Sequence, residues 1–109
     1  MEISLERNDD VMVLSLQGRL DVVASDKVRD EIVRLLENKP CIISLAGCDY
    51  VSSSGLRALL MIAKAAKGRG IRLIFAAACA EVVDVFEMTG FLRLLECVPT
   101  IAAAEAQLR

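Results

Sequence analysis

The sequence predicts a single α/β domain over residues 1–109, with a mixed, mostly parallel sheet, an N-terminal hairpin and about four helices. Three observations carry this reading. Two alternating apolar–polar runs, Ile3–Arg7 and Val11–Gln17, flank the turn-prone Asn8-Asp9-Asp10 and predict a hairpin. From there on, short β-prone runs alternate with segments of helical apolar spacing, the order that gives parallel strands and right-handed crossovers. The composition, 55% hydrophobic but only 4% aromatic, suits one core of small and branched side chains.

The elements follow in order. Ile3–Arg7 reads as an edge strand. Val11–Gln17 places Met12, Leu14 and Leu16 on one face and Val11, Val13 and Ser15 on the other. Gly18-Arg19-Leu20-Asp21 ends it. A helix is predicted from about Val23 to Glu37, with Ala24, Val28, Ile32, Leu35 and Leu36 inward and Asp26, Lys27, Asp30 and Arg34 outward. Pro40 stops that helix and biases Lys39 toward extended geometry. Cys41–Leu45 is nearly all apolar, as expected of a strand covered on both faces. Ala46–Tyr50 then leads to a turn carrying Ser52, Ser53 and Ser54.

A second helix is predicted over about Ser54–Lys67, where Leu56, Leu59, Leu60, Ala63 and Ala66 recur at helical spacing. Arg57, Lys64 and Lys67 face outward, and Gly68-Arg69-Gly70 closes it. Ile71–Ala76 reads as another interior strand. Ala80–Thr89 reads as a helix with Val82, Val85, Phe86 and Thr89 inward, ended by Gly90. A short strand near Leu94–Cys97 precedes Pro99 and a last helix to Leu108, aligned through Ile101, Ala104 and Leu108. Met61 and Met88 adjoin the expected interface, where Met is adaptable, but read first as core filling. Periodicity alone leaves open whether helices cover one face of the sheet or both.

Composition excludes several classes of function. A net charge of −2 with no basic cluster argues against a nucleic-acid surface. No run of about 20 apolar residues offers a membrane span. Met1–Glu6 lacks the basic start and apolar core of a signal peptide, so the expected compartment is the cytoplasm. Cys41, Cys48, Cys79 and Cys97 form no C-x-x-C pair and have no histidine beside them. They read as small buried hydrophobes, and neither a metal nor a cofactor is expected. The absence of histidine rules out Ser-His-Asp and Cys-His catalysis. No Walker A or G-x-G-x-x-G loop is present, and Asp21 and Asp49 do not make a magnesium cluster. The expectation is a protein that is not an enzyme.

The serine turn is the remaining place for chemistry. Its hydroxyls sit where a strand hands over to a helix, so they can accept from free N–H groups of the first turn. That end also favours an anion. Phosphorylation by an outside kinase would add about −1.5 to −2 charge there. The domain would tolerate it, whereas a partner packed over the turn would not. On the residues alone, two readings stay open: a simple cap, or a cap that is also a site. Asp21 likewise either caps the first helix or meets a partner, and Arg57 is either solvated or compensates a phosphate.

Tyr50-Val51-Ser52-Ser53-Ser54-Gly55-Leu56-Arg57 resembles the phosphorylation loop of STAS-domain anti-sigma factor antagonists. That pattern is an aromatic, an aliphatic, Asp or Ser, Ser, a small residue, Gly and Leu. Gly18-Arg19-Leu20-Asp21 resembles the family's G-x-L-D, and Val85-Phe86-Glu87-Met88-Thr89-Gly90-Phe91 its V-F-x-x-x-G-F/L segment. The three lie in the family's order along essentially the whole chain.

The resemblance implies a STAS fold with Ser53 as phosphoacceptor. Asp21, Ser52, Ser54, Gly55 and Arg57 would contribute to partner binding. It further implies that the unphosphorylated form binds a serine-kinase anti-sigma factor and so frees a sigma factor. The kinase then phosphorylates and releases the antagonist, and a PP2C-type phosphatase resets it. Two departures stand out: Ser52 replaces an acidic residue, and Ser44 stands where many relatives carry Asp. They leave a second implied role, an accessory subunit of an ABC-type lipid transporter or another transporter, with a small enzyme as the remaining alternative.

Overall fold

A computed structural model describes all of residues 1–109. Its elements are β1 (Glu2–Asn8), β2 (Val11–Leu20), α1 (Val22–Leu35), β3 (Cys41–Val51), α2 (Ser53–Gly68), β4 (Leu73–Ala76), α3 (Ala80–Met88), a 3-10 turn (Phe91–Arg93), β5 (Cys97–Val98) and α4 (Ile101–Leu108). The five strands lie in the order β1-β2-β3-β4-β5. β1 is antiparallel to β2, with Ile3 opposite Leu16 and Leu5 opposite Leu14, and all later pairs are parallel.

The period-two pattern of the strands sends side chains to two different cores. Met12, Leu14, Leu16, Leu20, Cys41, Ile43, Leu45 and Phe75 meet Val28, Ile32, Leu59, Ile62, Val82 and Phe86 from α1, α2 and α3. Phe86 and Phe91 stack within it, their ring centroids 4.5 Å apart. On the opposite face Val11, Val13, Ile42, Ile74 and Ala76 pack under α4 through Ala104, with Ile101 and Leu108 against them. Three helices therefore cover one face and a single short helix part of the other. Burial of each large aliphatic side chain is worth about 1.5–3 kcal/mol.

Several boundaries differ from the sequence expectation. β2 continues past Gln17 to Leu20, and β3 past Leu45 to Val51. The two extensions pair with each other, Arg19 with Tyr50 and Leu20 with Val51, across two register irregularities. Gln17, Arg19 and Tyr50 are exposed there, which hides the strand from an apolar pattern. β4 starts only at Leu73, because Ile71 belongs to the close of α2. Gly70, at φ 72°, donates to the Lys67 carbonyl at 3.0 Å, and Ile71 donates to that of Ala66 at 2.9 Å. This paired arrangement is a Schellman motif.

At the end of α1, Leu36 is the buried residue and Leu35 only half-buried. Thr89 does not point inward: it is exposed, and its hydroxyl donates to the Val85 carbonyl at 2.8 Å. Nor are the two methionines core filling, since Met61 is 43% and Met88 87% exposed. β5 lies at Cys97–Val98, with the 3-10 turn occupying the region just before the predicted strand.

Candidate functional site

β2 and β3 end side by side, and each hands over at once to a helix. Two helix N-termini therefore lie next to each other at the carboxyl end of neighbouring parallel strands, where open α/β sheets place their binding crevices. Asp21 caps α1, accepting at Oδ1 from the N–H of Val23 at 3.1 Å and of Ala24 at 3.0 Å. Its carbonyl accepts from the Ser25 hydroxyl at 2.5 Å, which leaves Ser25 buried and satisfied. The cap role of Asp21 is thus seen directly.

Ser52 caps α2, one residue earlier than the predicted helix start would place it. Its hydroxyl accepts from the Gly55 N–H at 3.0 Å and donates to the Leu20 carbonyl at 3.2 Å. Its own N–H donates to the same carbonyl at 2.9 Å. Gly55 is buried beneath this turn, and a Cβ there would stand 2.6 Å from the Leu20 oxygen. The helix start is pressed onto the end of β2 as closely as backbone can approach.

The other two hydroxyls differ from Ser52 and from each other. Ser53 is the first residue of α2, exposed, with its hydroxyl bonded to no other part of the chain. Ser54 is half-buried and lines a cavity of about 70 Å³ with Asp26, Arg29, Arg57, Ala58 and Met61. Arg29 is held by Asp30 at 3.0 Å and Asp26 at 3.2 Å. Arg57 is exposed and forms no ion pair, so it faces solvent one helical turn beyond Ser53.

An apolar rim flanks the turn. Val22 is 69% and Val23 86% exposed in the first turn of α1, and the ring of Tyr50 lies 4.2 Å under the Arg19 guanidinium. Sequence reasoning passed over these two valines. Their signal was that they precede the apolar stripe of α1 and lie out of phase with it.

Chemically, this surface offers an exposed hydroxyl that can receive a group. The Asp21 carboxylate is turned into the start of its own helix, and the exposed Lys64 lies three helical turns beyond Ser53. No group of three or more Cys, Asp or Glu side chains could hold a metal ion. A cavity of about 410 Å³ lies at the far end of α2 among Ala63, Lys67, Ile71, Leu73, Leu94 and Leu95, away from the serines. No helix is long and apolar enough to cross a membrane.

The STAS domain family model matches residues 2–104. The chain belongs to this family. BtrV of Bordetella bronchiseptica, a candidate anti-sigma factor antagonist by name, is 26% identical over 108 residues, 97% of this chain and 93% of that protein. The fold of this STAS domain recurs in the crystal structure of a candidate anti-sigma factor antagonist from Thermotoga maritima. That match has a TM-score of 0.87 and 21% identity, over 98% of this chain and 94% of the other. It recurs also in the Bacillus cell-fate determinant SpoIIAA, solved in unphosphorylated form (TM-score 0.77, 21% identity, 99% and 96% covered) and in phosphorylated form (0.68, 20%, 99% and 100%). The mixed sheet, the hairpin and the four helices of this chain are those of the STAS fold.

Proposed function

We propose that this STAS domain is an anti-sigma factor antagonist switched at Ser53. One observation carries the reading: of the three hydroxyls in the turn, Ser53 is the one both exposed and free of intramolecular bonds. Unphosphorylated, the turn and its apolar rim dock on a serine-kinase anti-sigma factor and so release a sigma factor. The kinase transfers phosphate from ATP to Ser53, and a PP2C-type phosphatase removes it. This chain serves as ligand and substrate in the cytoplasm and supplies no catalytic group. Support comes from the named relative, from the family, and from a related fold solved in both phosphorylation states.

The site residues then divide their work. Val22, Val23, Ser54 and Arg57 offer side chains to the partner, whereas Asp21, Ser52 and Gly55 act mainly by holding the two helix starts in place. A phosphate on Ser53 suits the positive end of α2, worth about 0.3–1 kcal/mol there. Burying it against a partner without compensation costs several kcal/mol, and each 1.4 kcal/mol is tenfold in affinity.

Calorimetry with a serine-kinase anti-sigma factor as partner tests the reading. Ser53→Ala is expected to bind like wild type and to resist release by ATP. Ser53→Asp is expected to stay folded and to lose about a hundredfold in affinity, roughly 2.7 kcal/mol. Wild-type affinity in Ser53→Asp would sink the charge switch, and stable co-purification with an ABC-type ATPase would favour the transporter role.

A further inference from the structure

The upper end of the sheet also sets the thiol of one cysteine against the backbone of another. Cys48 lies on β3 just before the serine turn, buried, with Sγ 3.4 Å from the Tyr50 carbonyl oxygen. β4 ends at Ala76, opposite Ser44, so the last part of β3 runs on beyond it. The chain leaving β4 folds back against that overhang. There the thiol of Cys79 donates to the carbonyl of Cys48 at 3.7 Å. Cys79 is half-buried, stands at the start of α3 and makes no side-chain bond to that helix's N–H groups.

The other two cysteines lie elsewhere on the sheet. Cys41 begins β3, seven residues and roughly 23 Å of strand from Cys48, between Met12 and Leu73. Burial pushes its thiol up to about 12, and that of Cys97, in β5, to about 11.

We propose that Cys48 and Cys79 form a redox pair that closes to an intramolecular disulfide under hydroperoxide and alters the serine turn as it does so. The Cys79 thiolate attacks one peroxide oxygen, the O–O bond breaks, and hydroxide leaves to be protonated as water, giving a sulfenic acid. The Cys48 sulfur then attacks the Cys79 sulfur. The S–S bond forms, the S–O bond breaks, and a second water leaves with the proton of Cys48. Each thiol supplies one electron, and the peroxide takes both. Burial raises the Cys48 thiol, so closure is slow and is followed over hours. Closure draws the Cys48 sulfur off the Tyr50 carbonyl, two residues before Ser52, and ties the end of β3 to the start of α3. The pair does not depend on modification of Ser53.

The test treats the whole chain with hydrogen peroxide, quenches it, and maps disulfides by peptide mass spectrometry beside amide hydrogen exchange of Ser52 and Gly55. Support requires three results: a Cys48–Cys79 cross-linked peptide, a several-fold change in exchange at those amides, and reversal of both by dithiothreitol. Cys79→Ser, at the half-buried position, is expected to fold normally by circular dichroism and to lose both responses, while Cys41→Ser and Cys97→Ser keep them. Sulfinic acid at Cys79 without a cross-link, a disulfide between two molecules, or a cross-link that leaves the exchange of both amides unchanged would each overturn the proposal.

Discussion

The carbonyl of Leu20 receives two hydrogen bonds from Ser52, one from its N–H at 2.9 Å and one from its hydroxyl at 3.2 Å. The same hydroxyl caps α2 by accepting from Gly55. Serine and threonine can do both tasks, whereas aspartate, ionised, can only accept. Ser52→Ala is expected to cost about 1 kcal/mol in urea unfolding, the usual loss of a cap. Ser52→Thr should recover most of that. Ser52→Asp should recover the cap but set a carboxylate against the Leu20 oxygen, leaving it less stable than Ser52→Thr. Equal stability of the Asp and Thr variants would mean that the donated bond contributes nothing.

Gly55 presents a conflict between local preference and packing. Alanine is the better helix former by about 1 kcal/mol. A Cβ at this position would nevertheless lie 2.6 Å from the Leu20 oxygen, 2.9 Å from Leu20 Cγ and 3.0 Å from Val51 Cγ1. The nearest of these is backbone, fixed by the pairing of β2 with β3. Overpacking of this kind costs about 1–3 kcal/mol. Gly55→Ala is therefore expected to destabilise, and to push α2 outward enough to shift the amide resonances of Ser52 and Ser53. A stabilised variant with unmoved resonances would show that the turn has slack.

How much of this was legible in the sequence depends on which residues face solvent. The core stripes of α1 and α2 could be read because Val28, Ile32, Leu59, Ile62 and Ala66 repeat at helical spacing and are all buried. The last residues of β2 and β3 could not, because exposed Gln17, Arg19 and Tyr50 break the apolar alternation while the backbone goes on pairing. Met61 and Met88 misled in the opposite way, being apolar residues left in water, and the exposed Val22 and Val23 gave no signal that was read. Ser53 could be singled out by family pattern. That Ser52 is spent as a cap depends on a contact with Leu20, thirty-two residues away, which no local pattern encodes.

The two glycines flanking Arg69 should respond with opposite signs to the same substitution. Neither would bring a new Cβ within 4 Å of another group, so packing does not enter. Gly68 is the last helical residue of α2, and Gly68→Ala is expected to stabilise by about 0.5–1 kcal/mol by restricting the unfolded chain. Gly70 sits at φ 72°, so Gly70→Ala forces a side chain into the left-handed region at about 1–2 kcal/mol and strains the closing bonds to Lys67 and Ala66. Urea midpoints of the two variants give the comparison directly.

Arg7, on the free edge of the sheet, holds Glu37 just beyond α1 through a two-pronged hydrogen-bonded ion pair. The Arg7 hydrogen bond is the main reason that the Glu37 carboxyl lies below its ordinary value of 4.5. A carboxyl lowered in the folded state stabilises fully above its unfolded value, and the contribution fades as pH falls through the folded one. Both side chains are exposed, so the effect is small and salt should weaken it. The difference in urea midpoint between wild type and Arg7→Ala is therefore expected to be present at neutral pH and to shrink progressively as pH falls below about 4.5. It should also shrink in about 1 M salt, where the screening length falls to roughly 3 Å. A difference that survives both treatments would show that Arg7 anchors β1 with its aliphatic stem, and that the charge is incidental.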